Sequence, residues 1–248
     1  MKVELLNITK NPEKVIWKAM HQCVSYGQED HKIESLEKDK IETSLVKNLL
    51  KQGHWSPFEH ASMAVRVEGT SHRVMQQVTR HRHLGFSVQS FRYTDHLMDT
   101  YNEIKKLSPD PWNDLENIAF AFKCKLREYF SYREPDIYQD RFGSRVDYKP
   151  LDDDISYLIC LLTYGEKIEQ GYPKEMAANF LPMGVNQSFV MSGNLRAWFG
   201  FFDKRSMQDA QLEIRDLSLK CFDLLSLYLP VCCDWYKQSR LGKNKLSP

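Results

Sequence analysis

The stretch TRHRHLGFSVQSFRYTD, residues 79–95, contains the change from helix to strand that decides the fold class. Apolar residues that lead into it recur at helical spacing over 70–82. After a short loop that contains Gly85, residues 86–93 alternate between apolar and polar side chains, which predicts a strand. A helix that gives way at once to a strand predicts a mixed α and β structure.

The rest of the chain repeats both periodicities. Further strands are predicted at 3–8, 59–69 and 185–192. Further helices are predicted at 12–26, 39–51, 111–133, 152–168, 173–181, 194–202 and 206–229. The segment 134–150 is rich in turn formers and charges, and the sequence contains no repeat or linker-like tract. We therefore predict an α+β fold, a largely antiparallel sheet wrapped by long helices, in a single domain over 1–248.

Composition excludes several classes of protein. Hydrophobic residues make up 42% of the chain, which is too many for a disordered protein. The 34 Lys and Arg nearly balance the 33 Asp and Glu, so bulk charge favours neither a nucleic acid nor an anionic membrane as partner. The longest apolar run, ISYLICLLTY at 155–164, is too short to span a bilayer, and the N-terminus lacks a signal-peptide core. We expect a cytoplasmic protein, or one in a host cytoplasm if it is viral.

A basic cluster stands out in this nearly neutral chain. It contains three arginines and two histidines, namely Arg80, Arg82, Arg92, His81 and His83. Like charges repel, so their crowding predicts an anionic ligand that offsets the cost. The competing interpretation is that the cations only stabilise the end of a helix, by about 0.3–1 kcal/mol.

Hydrogen-bonding side chains accompany the cluster at two spacings. On a helix, Gln77, Arg80 and His81 share one face. On the following strand Ser90 and Arg92 share a face, whereas Gln89 points the other way unless a bulge intervenes. Arginine suits phosphate or carboxylate oxygens, and Gln and Ser suit a base or a sugar. Helix-end stabilisation does not explain these donors, so we favour a nucleotide-like ligand.

The upstream segment GHWSPFEH, residues 53–60, adds more candidates. His54 and His60 suggest a metal, but a third and a fourth ligand at typical spacing are missing, and we predict none. His54 is interpreted as a polar lid over a bound ring. Dinucleotide-binding, phosphate-loop and serine-hydrolase motifs are absent from the sequence, so we interpret Ser90 as a binding donor and not a nucleophile.

Several motifs occur together in an order typical of one enzyme family. They are Arg80-His81-Arg82 and Ser90 in an RHR-x7-S pattern, GHWSPFEH at 53–60, Gln77, SFRY at 90–93, Leu181-Pro182, NLR at 194–196, Arg205 and AQLEIR at 210–215. With these motifs the chain resembles the flavin-dependent thymidylate synthases. The similarity extends over about 1–230, which leaves 231–248 as a C-terminal tail.

The resemblance implies an activity and an assembly. The enzyme would make dTMP from dUMP, with methylenetetrahydrofolate as carbon donor, NADPH as reductant and FAD as the carrier of the hydride. It would be a homotetramer whose active sites are shared between subunits.

The resemblance also implies residue roles. The residues assigned to FAD are Ser56, Arg80, His81, Arg82, Asn194 and Arg196, to which we add His54. Those assigned to the nucleotide are Gln77, Arg80, Ser90, Arg92 and Arg205, to which we add Gln89. Arg205 is also the catalytic residue, because a guanidinium beside the pyrimidine stabilises negative charge that develops on the ring.

Three positions depart from the family pattern. Val88 stands where the family often has an acidic residue or Gln, Ala178 where it has a nucleotide-binding Arg, and Gly200 where it has an FAD-contacting Asn. Lys174, Arg141 or Arg145 are candidates to replace the missing Arg. These departures leave open a related flavoenzyme that modifies another pyrimidine nucleotide, for example by hydroxymethylation. A second alternative is a non-enzymatic RNA-binding module that would use the basic cluster and its aromatic residues.

Overall fold

The computed structural model describes residues 1–22, 44–94, 96–131 and 150–243. The strands in this part of the chain are β1 (Lys2–Ile8), β2 (Ser62–Ser71), β3 (Gly85–Val88) and β4 (Asn186–Asn194). The α-helices are α1 (Pro12–Gln22), α2 (His72–Val78), α3 (His96–Leu107), α4 (Leu115–Tyr129), α5 (Pro150–Glu169), α6 (Lys174–Ala177), α7 (Leu195–Arg205), α8 (Leu212–Ser226) and α9 (Pro230–Ser239). Shorter helical turns are a π-helix at Leu45–Leu50 and 3₁₀ turns at Ser56–His60, Pro111–Asp114 and Ala178–Phe180.

The strands form one small antiparallel sheet in the order β1-β2-β4-β3, which confirms the predicted α+β class. The predicted alternation in β2 is also confirmed, because Met63, Val65 and Val67 are all buried. Every second side chain of a strand faces the same side of its sheet, so these three residues contribute a continuous apolar face.

The chain divides into two compact units. The first unit comprises Met1–Val67, Gln76–Ser87 and Phe189–Pro248, and the second comprises Glu68–Met75 and Val88–Ser188. The first unit has an aromatic core, in which the Phe199 ring lies 5.5 Å from Trp55 and 4.7 Å from Tyr236.

The core of the second unit is formed mainly by α3, α4 and α5, with Tyr101, Leu126 and Leu162 fully buried. Much of the predicted tail is helix α9, whose Cys232 and Cys233 are buried. The single catalytic domain over 1–248 stays a prediction.

The predicted strand over 86–93 is too long, since β3 ends at Val88. Beyond it the chain turns: the amide of Tyr93 donates to the carbonyl of Ser90 at 3.1 Å, and the amide of Arg92 donates to Ser90 Oγ at 3.3 Å. A serine side chain that bonds to nearby backbone competes with strand pairing. Ser90 and Arg92 therefore do not share a strand face, and that prediction was wrong.

Helix predictions were wrong mainly at their ends. The predicted helix at 70–82 ends at Val78, and the one at 206–229 is shorter, since α8 begins at Leu212 and ends at Ser226. A separate helix, α9, begins at Pro230. Proline at the start of α9 lacks an amide hydrogen, so it begins a helix readily but does not continue one.

Helix α3 was missed, although Leu97, Tyr101 and Ile104 repeat at helical spacing. Residues 23–26, 39–43, 132–149 and 244–248 of the predicted segments lie outside the described residues, and so do the candidates Arg141 and Arg145. No helix among the described residues is both long and apolar enough to cross a membrane.

Candidate functional site

A cleft of about 770 Å³ lies within the first unit. Its wall carries five cationic side chains, those of Arg80, Arg82, Arg196, Lys204 and Arg205. The other lining residues are Glu59, His81, His83, Leu84, Asn194, Ala197 and Gly200. The described lining therefore has a large excess of positive charge, as an anion-binding site requires.

Two segments supply nearly all of this wall. The first is the loop of residues 80–84 that follows α2, and the second is helix α7 with its N-cap, Asn194. The Asn194 side chain accepts a hydrogen bond from the amide of Ala197 at 2.9 Å, which satisfies one free donor of the helix start. Asn194, predicted to contact FAD, thus also fixes where α7 begins.

Close packing of the loop against β4 requires a glycine. A Cβ at Gly193 would lie 2.5 Å from Leu84 Cδ2 and 3.2 Å from the carbonyl oxygen of His83. Any side chain would therefore push the loop away from the strand. The glycine lets the loop that carries Arg80 and Arg82 approach the start of α7.

Arg205 is held by acceptors in the first unit. Its Nε donates to His81 Nε2 at 2.9 Å, and its Nη2 donates to the carbonyl oxygen of Gln77 at 3.2 Å. A longer contact of 3.4 Å joins Nη1 to Gln77 Oε1, and Gln77 Nε2 in turn donates to Gln211 Oε1 at 3.1 Å. Burial and the neighbouring charge of Arg80 lower the pKa of Arg205. Because three of its nitrogens are engaged, the guanidinium has a fixed orientation in the wall.

His81 is the neutral member of this group. Burial, followed by the charges of Arg205 and Lys204, lowers its pKa to about 4. At neutral pH the ring is therefore uncharged. Its Nε2 accepts from Arg205, which assigns the ring hydrogen to Nδ1.

The other arginines of the cleft differ in their partners. Arg196 Nη1 pairs with Glu59 Oε1 at 2.5 Å, and both side chains are about half exposed. No carboxylate of the described chain pairs with Arg80 or Arg82. Guanidinium groups without a counter-ion at a cleft wall suit phosphate oxygens, which accept two parallel hydrogen bonds from one fork.

Two predicted cofactor residues lie in the first unit but do not line the cleft. Ser56 begins the 3₁₀ turn Ser56–His60, and its Oγ lies 3.0 Å from His54 Nε2. They hydrogen-bond to each other, so their assignment to FAD stays a prediction.

The predicted residues Gln89, Ser90 and Arg92 belong to the second unit. Gln89 pairs with Ser188 beyond the end of β3, through its amide at 2.9 Å and its side-chain oxygen at 3.2 Å. Arg92 Nε lies 3.1 Å from Glu175 Oε2, in a pair that is well exposed. An exposed ion pair is worth at most about 1 kcal/mol, so it presents little barrier to another anion at Arg92.

Sequence reasoning did not include Lys204, His83 and Glu59 among the site residues. Lys204 could have been found from the sequence. It lies four residues after Gly200, and residues four apart lie on the same face of a helix. His83 had a local signal too, as a member of the basic cluster around Arg80. The place of Glu59 in the cleft depends on how distant segments pack, for which the sequence contains no local signal. No cluster of three or more potential metal ligands occurs in the described ranges.

Comparison with known proteins gives a consistent result. The family model for thymidylate synthase complementing proteins matches residues 4–231. A flavin-dependent thymidylate synthase of Haloarcula marismortui is 32% identical over 260 residues, with both chains fully covered. One of Halobacterium salinarum is 29% identical over 263 residues, again with both fully covered.

A solved structure shares the fold. The flavin-dependent thymidylate synthase of Helicobacter pylori, crystallised with FAD and dUMP, superposes with a TM-score of 0.63 at 22% identity, covering 92% of this chain and 97% of that one. The fold and the match over nearly the whole chain agree with the motifs around Arg80 and Arg205. The chain therefore belongs to the family of thymidylate synthase complementing proteins, the flavin-dependent thymidylate synthases.

Proposed function

We propose that this protein converts dUMP to dTMP, with methylenetetrahydrofolate as the carbon donor, NADPH as the reductant and FAD as the cofactor. The observation that carries the proposal is the cleft in which Arg205, held by neutral His81 and by Gln77, lies beside Arg80. Family membership supports the same activity.

The residues of the cleft fit FAD. Its pyrophosphate is an anion that matches Arg80 and Arg82, which have no carboxylate partner in the described chain, and Arg196 completes the cationic wall. His81 and Asn194 offer neutral hydrogen-bonding groups, and Ser56 and His54 are further contacts of the cofactor. When bound, FAD supplies the hydride-transfer chemistry.

The nucleotide would be held by Gln77, Arg80, Gln89, Ser90 and Arg92. Arg205 acts on the pyrimidine ring: its fixed positive charge stabilises negative charge that develops during the reaction, and so makes the carbon that accepts the one-carbon unit more nucleophilic. Its orientation is set before substrate binds, by the acceptors at His81 and Gln77. Preorganised charge needs no rearrangement at the moment of reaction, which is the main source of its effect.

We further propose a homotetramer with active sites shared between subunits, and a cytoplasmic location. The support for the tetramer is the resemblance to the family. Residues assigned to the nucleotide belong to both compact units of the chain.

The activity is tested with the purified protein. A yellow protein that forms dTMP from dUMP, methylenetetrahydrofolate and NADPH supports the proposal. A yellow protein that instead modifies dCMP or dUMP without NADPH indicates a hydroxymethylating flavoenzyme. A colourless protein that takes up no FAD and binds RNA with a steep salt dependence contradicts both enzymatic functions.

A further inference from the structure

Helix α7 has a gap in the wall of the cleft at Gly200. This residue lines the cleft, and a Cβ built on it would meet no atom within 4 Å. Other positions along this wall of α7 carry side chains, including Ala197, Arg196 and Lys204. The space beside Gly200 is therefore open to a side chain that comes from elsewhere.

Lys204 is a candidate for that space, because it also lines the cleft. It lies four residues after Gly200, so the two positions are one helical turn apart on the same face. Side chains on a helix lean toward its N-terminus, which directs Lys204 over Gly200 and toward Arg196 one turn further back.

The charge of Lys204 is available to a ligand. Lys204 is exposed, and within residues 1–22, 44–94, 96–131 and 150–243 no carboxylate pairs with it. Its ammonium contributes to the lowered pKa of His81, after burial and Arg205, and both residues line the cleft.

We propose that Lys204 binds a phosphate group of a nucleotide ligand in the cleft, across the space that Gly200 leaves open. The inference rests on the proposed function and adds a binding residue to it. Lysine is a compact cation that satisfies phosphate as a point charge, whereas Arg196 and Arg80 contribute planar forks. The phosphate comes from FAD or from dUMP, and the two sources are separated experimentally.

The test compares Lys204→Met with Lys237→Met, an exposed lysine of α9 that is not part of the cleft. Both changes remove one charge and keep a similar length, and both positions tolerate methionine in a helix. Dissociation constants are measured for FAD and riboflavin, and for dUMP and deoxyuridine. We expect Lys204→Met to raise the dissociation constant of FAD or dUMP roughly tenfold, and to make that constant less dependent on salt concentration. Riboflavin and deoxyuridine, which lack phosphate, should be unaffected.

A second variant tests the role of the open space. Gly200→Leu fills it with an uncharged side chain and improves helix propensity, so the fold should persist. We expect Gly200→Leu to weaken binding of the same phosphate-bearing ligand, even though Lys204 is intact. Equal affinities for wild type, Lys204→Met and Lys237→Met would overturn the inference, provided that the wild type binds FAD and dUMP. A wild type that binds neither would instead overturn the proposed function.

Discussion

At the scale of single residues, the neutral state of His81 decides how Arg205 is held. An uncharged imidazole accepts the hydrogen bond from Arg205 Nε, whereas a protonated ring has no acceptor left. Protonation would also add a positive charge beside Arg205 and Lys204, the two cations that already lower the pKa of this histidine. The contact between His81 and Arg205 is therefore a neutral–cation pair that only survives while the ring stays deprotonated.

This state predicts a pH dependence of stability. The folded-state pKa of His81, about 4, is lower than its ordinary value of 6.5. As the pH falls from 6.5 toward 4, the unfolded chain takes up a proton that the folded chain does not. The free energy of unfolding should therefore decrease in this window, and the contribution is fully present only above pH 6.5.

Urea unfolding of wild type and of His81→Gln at several pH values checks this prediction. Glutamine keeps an acceptor for Arg205 but does not titrate, so the variant should lose less stability between pH 6.5 and 4. Parallel pH profiles of the two proteins would contradict the assignment of a neutral, buried His81.

Arg205 should affect turnover far more than cofactor binding. Arg205→Ala is expected to abolish most activity and leave the flavin spectrum largely intact, because Arg80 and Arg82 remain. Arg205→Lys keeps the charge but loses the planar fork that contacts both His81 and Gln77, so it should restore only a small part of the activity. Steady-state kinetics with spectra of the bound flavin measure both effects. Loss of flavin in either variant would argue against the assigned role.

At the scale of elements, helix α9 is attached to α7 by a buried polar group. Asp203 of α7 accepts hydrogen bonds from the hydroxyl of Tyr236 and from Arg240, whose Nη2 lies 2.7 Å from Asp203 Oδ2. The Asp203 side chain is 1% exposed, so its charge depends on these partners. Asp203 lies two residues before Arg205, which links the packing of α9 to the wall of the cleft.

Removal of either partner of Asp203 should lower the free energy of unfolding. Arg240→Met leaves a buried carboxylate without its counter-ion and should destabilise the protein by roughly 3 kcal/mol. Tyr236→Phe removes one neutral hydrogen bond and should cost about 1–2 kcal/mol. Chemical unfolding measures both changes. If Tyr236→Phe proved the more damaging of the two, the ion pair would not be the main link between α7 and α9.

At the scale of the whole molecule, the proposed tetramer makes a prediction about mixtures of inactive variants. Arg205 belongs to the first unit and Arg92 to the second. If each active site combines residues of different subunits, Arg205→Ala and Arg92→Ala subunits that are mixed and reassembled should form some intact sites. We expect measurable activity to return in the mixture and not in either variant alone. A mixture as inactive as its components would indicate that both residues act within one chain.

Local sequence patterns predicted some parts of the fold and of the site but not others. The basic residues at 80–82 and the alternation in β2 are local patterns, and they led to the ligand chemistry and the α+β class. The break after Val88 has a local cause in the Ser90 side chain, but whether a strand or a turn prevails there depends on pairing with β4. The end of α2 at Val78 was missed because residues 79–82 have ordinary helix propensity.

The sequence by itself determined the family, the anionic nature of the ligand and most of the elements, because each is written in residues that are neighbours along the chain. Only the tertiary structure decided that Arg205 lies against His81, 124 residues away. It alone decided that Glu59 and Lys204 share a cleft with the loop at 80–84, and that the pKa of His81 is low. Burial and contact between distant segments set these properties, and neither is encoded in any short stretch of sequence.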